Sequence, residues 1–182
     1  MAGGHTVLVP IRQLHLRPFG QQDLDLFARF AADPSFVGPF QWHGFRSFNE
    51  FRRRWEDDEF LTRDPRYLVI ASEDDVLVGW IMWRDPQLFG HPGSAWEVGV
   101  LLTPDQRDQG LGSAAHDLLV HHLFESTAAH RLIANTDVDN LAERRCLERS
   151  GFRCDGVLRQ AGFRDGRWRD VATYSLLRGE VT

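Results

Sequence analysis

The feature that most restricts the fold is a strand that runs directly into a glycine-rich turn and a helix. Residues 94–104, SAWEVGVLLTP, have the length and apolar content of a strand, and a proline ends the run. The next residues, 104–119, read PDQRDQGLGSAAHDLL, so Gly110 and Gly112 stand at the start of an amphipathic helix predicted over 110–125. Bare backbone at a helix start suits either a tight turn or the binding of an anion by free amide groups. The local pattern leaves both interpretations open.

The order of the other predicted elements indicates a mixed sheet with helices packed on it. Periodicity and turn residues predict strands over residues 11–19, 66–72, 76–84, 94–104, 131–136, 156–163 and 168–177. The same patterns predict helices over residues 22–33, 47–61, 110–125 and 140–150. Strands come first as a meander and then alternate with helices, which is typical of an α+β, or mixed α/β, domain. We expect one domain over 1–182, with a core over about 11–178.

Composition excludes several classes of function. All 21 basic residues are arginines, which excludes Schiff-base enzymes and nucleotide hydrolases that depend on a phosphate-loop lysine. The formal net charge of -5 argues against a nucleic-acid partner. No HExxH or paired Cys/His spacing accompanies the eight histidines, so no metal site is predicted.

The sequence shows no pattern of secretion or membrane insertion. The first residues lack a basic stretch followed by a long apolar run. No segment approaches the ~20 apolar residues that cross a bilayer. Cys146 and Cys154 are too few for a disulfide framework. We therefore expect a cytoplasmic protein without a membrane partner.

The glycine-rich turn, RDQGLG over 107–112, does not match the common nucleotide-binding fingerprints. It lacks the lysine and hydroxyl pair of the Walker loop, and it lacks the third glycine of GxGxxG. A helix start nevertheless exposes amide hydrogens and carries partial positive charge. Arg107 would add a charge-assisted contact to an anion bound there.

Several segments in the same order resemble the GNAT superfamily of acyl-coenzyme A-dependent N-acetyltransferases. QRDQGLG resembles that superfamily's pyrophosphate motif, [Q/R]-x-x-G-x-[G/A], and WEVGVLLTP is similar to its fourth strand. NTDVDNLAERRCLERSGFRCDGVLRQ resembles the following strand and helix. The opening LHLRPFGQQDLDLFARFAADPSF and the closing GVLRQAGFRDGRWRDVATYSLL resemble the branch that acts on ribosomal-protein N-termini, the RimJ/RimL-like branch.

The resemblance implies a fold and a place for the cofactor. It implies a mostly antiparallel sheet of about seven strands, splayed between strands 4 and 5 and flanked by about four helices. Acetyl-CoA, or another acyl-CoA, would place its pantetheine arm in the gap beside Val100 and Leu102. Its pyrophosphate would lie on the main chain of the turn, at Arg107, Asp108, Gln109, Gly110, Leu111, Gly112 and Ser113. Homodimers are common in the family.

Three polar residues are candidates for catalysis. Glu97 matches the glutamate of the E-x-G strands in this branch and is the candidate base; the alternative is a carboxylate at the sheet edge that pairs with an arginine. Asn140 is a candidate to orient a water or the cofactor, and alternatively the N-cap of a helix. Glu143 stands where relatives often carry serine, and would bind a cationic substrate or pair with an arginine on its own helix. Leu147 replaces a tyrosine that is frequent in the family.

The candidate acceptor site is a broken loop rich in aromatic residues. Phe40, Trp42 and His43 lie between glycines and prolines, and Trp83 lies on a nearby predicted strand; the alternative for each is core packing. The resulting hypothesis is direct transfer of an acetyl group to a primary amine, on a protein N-terminus or on a small molecule such as an antibiotic. A CoA-binding module without catalysis, or an acyltransferase that uses a longer acyl-CoA or an acyl carrier protein, is the alternative.

Overall fold

Seven strands form one sheet in a computed structural model that describes residues 14–42, 44–87 and 93–181. The strands are β1 (His15–Arg17), β2 (Arg66–Ala71), β3 (Leu77–Arg84), β4 (Ala95–Leu102), β5 (Arg131–Asp137), β6 (Arg153–Arg164) and β7 (Arg167–Leu177). Their order across the sheet is β1-β2-β3-β4-β5-β7-β6. β4 and β5 run parallel, and the other neighbouring strands run antiparallel. The predicted mixed sheet is confirmed.

Helices cover both faces of the sheet. They are α1 (Leu24–Ala32), α2 (Pro34–Val37), α3 (Phe48–Asp58), α4 (Leu111–Ser126) and α5 (Leu141–Arg149), with single 3₁₀ turns at Gln21–Asp23, Pro104–Gln106 and Arg178–Glu180. Side chains from one face of the sheet pack with α4 and α5, and those from the other face pack with α1, α2 and α3. We call these the α4/α5 face and the α1–α3 face. No helix of the described ranges is long and apolar enough to cross a membrane.

The apolar spacing of each helix accounts for its position. In α4, Leu111, Ala115, Leu119 and Leu123 recur every four residues and are fully buried against the sheet. β2 is buried on both faces because it lies inside the sheet with helices on each side, and its sequence RYLVIA is accordingly almost continuously apolar. Such burial of apolar area is the main favourable term that holds the helices on the sheet.

The sheet opens between its fourth and fifth strands. The parallel pairing of β4 and β5 spans only three residue pairs, from Ala95 with Arg131 to Glu97 with Ile133. β4 continues to Leu102 and β5 to Asp137 without further pairing to each other. This separation confirms the expected splay, and it leaves a gap that connects the two faces.

Candidate active site

The edge of β4 that borders the gap carries main-chain groups with no partner strand. The amide of Thr103 donates to the carbonyl of Val78 at 3.0 Å. Thr103 and Val78 are therefore a hydrogen-bonded pair between the chain segments of β4 and β3. Hydrogen-bonding residues alternate along an antiparallel ladder. The main-chain groups of Val100 and Leu102 therefore point away from β3 and into the gap, where the family resemblance implies the pantetheine arm.

Two side chains reach the carbonyls on this edge. The Gln41 amide nitrogen lies 3.5 Å from the carbonyl oxygen of Val100. Arg107 donates from Nε to the carbonyl of Leu102 at 3.1 Å. The amides of Val100 and Leu102 donate to no acceptor across the gap within the described ranges. This edge can therefore still bind a ligand that offers an acceptor.

The start of α4 is a bare helix terminus. Gly110 is the N-cap residue, with a φ of +78° that disfavours other residues, and no side chain caps the helix. The first amides of a helix have no acceptor inside it. The amides of Leu111, Gly112 and Ser113 also find no acceptor elsewhere among the described residues. The tight turn therefore leaves free amides at this terminus, so the two interpretations are compatible.

Gly112 has a separate reason to be glycine. A Cβ atom built at Gly112 would lie 2.8 Å from Sγ of Cys146 on α5, closer than packed atoms approach, and 3.8 Å from Cβ of the same residue. The missing side chain therefore allows α4 and α5 to approach each other. This contact joins residues far apart in sequence, and the sequence pattern did not indicate it.

Gly112→Ala should have effects of opposite sign in two backgrounds. With Cys146 present, the clash should lower the free energy of unfolding by about 1–3 kcal/mol. In a Cys146→Ala chain the clashing sulfur is absent. There, the higher helix propensity of alanine at position 112 should raise the free energy of unfolding by up to about 1 kcal/mol. Urea unfolding of the four proteins measures both values. An equal loss in both backgrounds would contradict the packing role.

The side chain of Arg107 does not reach toward the helix terminus. Besides the contact to Leu102, its guanidinium donates to the carbonyl of Phe36 at the end of α2. Burial lowers the pKa of Arg107 from its usual value. The predicted contact of this side chain with an anion is therefore not what the geometry shows; the side chain holds α2 against β4. Asp108 and Gln109 complete the turn, and Gln109 donates to the carbonyl of Asp105 at 2.7 Å.

A cavity of about 430 Å³ occupies the gap and extends onto the α1–α3 face. Its walls come from β3, β4, β5, the start of α5, the β6–β7 hairpin and the segment after α2. The lining residues are Phe40, Gln41, Arg84, Val98, Gly99, Val100, Ala134, Asn135, Thr136, Asp137, Asn140, Glu143, Gly162, Phe163, Arg164, Arg169 and Val171. The cavity is therefore lined by predicted site residues from three separate parts of the chain.

Glu97 lies beside this cavity in an ion pair. Arg84 donates from Nε to Oε2 of Glu97 at 2.8 Å, Nη2 lies at the same distance from that oxygen, and this pairing raises the pKa of Arg84. Asn135 lies 3.4 Å from Oε1, a weak contact, and accepts from Thr173 at 2.9 Å. The predicted alternative, pairing with an arginine, is thus what the structure shows. Oε1 has only this weak contact, and both partners of Glu97 line the cavity.

Asn140 and Glu143 border the cavity at the start of α5. Asn140 is the N-cap, as the alternative interpretation predicted: it accepts from the amide of Glu143 at 3.3 Å and donates to Thr136 at 3.2 Å. Glu143 does not pair with an arginine of its own helix. Its Oε1 lies 2.9 Å from Nε2 of His116, a fully buried histidine on α4. The expected arginine pairing is wrong because α4 packs close enough to present this histidine.

The four aromatic-site predictions fall in different places. Phe40 lines the cavity, with the guanidinium of Arg164 4.9 Å from its ring centre. Trp42 packs against the core of the α1–α3 face and against Phe45. Trp83 is buried in the core of the α4/α5 face, 5.6 Å from the ring of His122, and does not line the cavity. His43 lies outside the described residues.

Sequence reasoning missed three arginines, an acid and an amide of the cavity wall. They are Arg84, Asn135, Asp137, Arg164 and Arg169. One signal was available for two of them: the predicted hairpin turn at Asp165-Gly166 places neighbouring positions of its two strands on a shared face. The other contacts cross between strands whose register the sequence does not specify.

A family model described as "Acetyltransferase (GNAT) domain" matches residues 13–153. Among curated relatives, an uncharacterized N-acetyltransferase, YnaD, of Bacillus subtilis is 25% identical over 115 residues, covering 63% of this chain and 65% of the relative, just under two thirds of its length. The ribosomal-protein-serine acetyltransferase of Escherichia coli is 33% identical over 136 residues, covering 74% of each protein.

The fold is also found among solved structures. A spermidine N-acetyltransferase from Vibrio cholerae, in complex with CoA and spermine, superposes with a TM-score of 0.79 at 19% identity. The alignment covers 93% of this chain and 98% of that structure. At this identity the likeness establishes the fold.

Proposed function

Because the chain belongs to the GNAT acetyltransferase family, and is therefore an acyltransferase, we propose that it moves an acetyl group from acetyl-CoA directly to a primary amine. The observation that supports the place of transfer is the separation of β4 from β5 beyond Glu97 and Ile133. The open strand edge leads at one end to the bare start of α4 and at the other to Glu97. We place the chain in the RimJ/RimL-like branch, which the E. coli relative supports.

The residues along the gap fit acyl-CoA. The amides of Leu111, Gly112 and Ser113 have no side-chain cap and form the kind of helix terminus that binds phosphate groups. The amides of Val100 and Leu102 offer donors to the carbonyls of an extended arm, as strand edges do for peptides. Acetyl-CoA supplies the acyl group as an activated thioester. Asp108, Gln109 and Gly110 shape the turn beside the phosphates.

Glu97 has the position of the general base in this proposal. A protonated amine cannot attack, so a group beside the acceptor must first remove a proton. Oε1 of Glu97 is held only by the weak contact to Asn135, whereas Oε2 is bound by Arg84. We assign proton removal to Oε1, which leaves a neutral nitrogen to attack.

Asn140 and Glu143 lie on the opposite side of the gap. Both polar atoms of the Asn140 side chain already have protein partners, and Glu143 is held by His116. We assign to this pair the placement of α5 against α4, which sets the width of the gap. Phe40 is assigned to the acceptor side of the cavity because it lines the wall on the α1–α3 face.

The acceptor amine is the open part of the proposal. The E. coli relative is named for a ribosomal protein, and the V. cholerae structure for spermidine; both acceptors present a primary amine. A protein N-terminus and a small-molecule amine both satisfy the chemistry described here.

Thiol release on mixing the protein with acetyl-CoA and a panel of amines tests the function. We expect amine-dependent release of CoA with one acetylated product per thiol. Binding of CoA without release by any amine would favour the non-catalytic module. Faster release from a longer acyl-CoA or an acyl carrier protein would identify another donor. If folded protein gave no heat with any CoA derivative in a calorimetric titration, the proposal would fail.

A further inference from the structure

Three arginines line the acceptor side of the cavity, and two of them form short ion pairs with acids of the protein. Arg84 donates from Nε to Oε2 of Glu97, and its Nη2 lies 2.8 Å from the same oxygen. Arg164 donates from Nε and Nη2 to Asp137 at 3.3 and 2.8 Å, and from Nη1 to Asp165 at 2.7 Å. These two arginines therefore each have an acid of the protein as a close partner.

Arg169 differs from the other two. Its Nε is buried and has no hydrogen-bond partner among the described residues. Its one charged contact is Nη1 to Asp139 at 3.7 Å, and that carboxylate is 64% exposed. A guanidinium has five N–H donors, and a buried donor without a partner is unfavourable. The side chain is thus a cation with donors to spare at the wall of the cavity.

The acids at this cavity each already have a charged or polar partner in the protein. Asp137 is held by Arg164, and Glu97 is shared with Arg84. Glu143 lies across the gap, beside His116. An acceptor with several positive charges would therefore compete with existing arginine pairs, whereas an anionic group would meet unused donors on Arg169. The wall favours an acceptor with one amine and one anion.

We propose that the acceptor is a free amino acid or a close analogue, whose carboxylate group binds Arg169. The proposal rests on the acyl-transfer function stated above and names the substrate class for it. Arginine binds planar oxyanions through paired N–H groups, which suits such a group. The anion would be fixed by Arg169 while the amine faces Glu97, which lies beside the same cavity.

The surroundings of Arg169 favour a small acceptor over a chain terminus. Phe40, from the segment after α2, meets Arg164 of the β6–β7 hairpin at 4.9 Å. Both segments line the cavity wall and contact each other there. This contact narrows the space beside Arg169. Gly162 is the cross-strand neighbour of Arg169, and a Cβ atom there would lie 3.2 Å from Cγ2 of Val171 on the same wall.

The first test varies the acceptor and leaves the protein unchanged. Amino acids are compared with their carboxamides, with neutral alkylamines and with spermidine. Short peptides with a free N-terminal amine are also compared, some of them with an acidic first residue. We expect kcat/KM for free amino acids to exceed that of the carboxamides by about 10- to 100-fold, the range for a hydrogen bond to a charged group. Preference for spermidine, for neutral amines or for peptides would overturn this inference and leave acyl transfer standing. Absence of transfer to all amines, with no binding of CoA, would instead refute the function itself.

The second test changes Arg169. Arg169→Gln should raise KM for the amino acid by about 10- to 100-fold, with a smaller effect on KM for its carboxamide and none on the affinity for CoA. Arg169→Lys keeps the charge and should recover part of the loss. The matched control is Arg167→Gln, an exposed arginine on the same strand that does not line the cavity. If KM for the amino acid equalled KM for its carboxamide both in the wild type and in Arg169→Gln, the assignment to Arg169 would be overturned. Unfolding curves show whether each variant is folded.

Discussion

Glu97→Gln is expected to lower kcat by about 100-fold or more, while the dissociation constant for CoA stays within about twofold of wild type. Removal of a positioned general base costs about 10²–10⁴ in rate. The amide keeps the shape of the side chain and can still contact Asn135, but it cannot take a proton. The loss should therefore fall on turnover, measured by thiol release at saturating acetyl-CoA.

The pH profile separates this role from simple pairing with Arg84. Without a base, the variant depends on acceptor that is already neutral in solution, so its rate should keep rising with pH up to the ordinary pKa of the amine. If Glu97 served only to hold Arg84, then Arg84→Gln would cost as much turnover as Glu97→Gln. Glu73→Gln, on the exposed turn between β2 and β3, is the matched control and should match wild type. Wild-type turnover in Glu97→Gln would remove the glutamate from the chemistry.

The elements around the site were predictable because their signals are local. The helix predicted over 110–125 is found at Leu111–Ser126, and the strand predicted over 94–104 at Ala95–Leu102. Periodic apolar residues and the flanking proline and glycines suffice for both. Asn140 likewise signalled the start of α5 through its type and position.

The partners of the site residues were not predictable, because they come from distant parts of the chain. Arg84 faces Glu97 only through the register of β3 against β4, whose connection is too long for a tight turn to specify that register. His116 meets Glu143 only because α4 and α5 pack closely where Gly112 lacks a side chain. Trp83 gave a misleading signal, since an aromatic residue on a central strand packs in the core as readily as it lines a pocket.

Ser113→Asp should separate folding from cofactor binding by moving them in opposite directions. Ser113 is the third residue of α4, and the first turn of that helix has no acidic residue. A carboxylate there favours the helix dipole and should leave the free energy of unfolding unchanged or raise it by about 0.3–1 kcal/mol. The same charge would repel a diphosphate at the same amides, and we expect about 10- to 100-fold weaker binding of CoA at low salt.

The neutral variant Ser113→Asn is the control, because it has the same size without the charge and should bind CoA nearly as wild type does. Added salt screens exposed charges, so the difference between the two variants should shrink as ionic strength rises. Calorimetric titration with CoA gives the affinities, and urea unfolding gives the stabilities. Unchanged affinity in a stable Ser113→Asp protein would place the diphosphate elsewhere and remove the start of α4 from the site. Equal weakening in both variants would point to lost shape, since only a bound anion distinguishes the carboxylate from the amide.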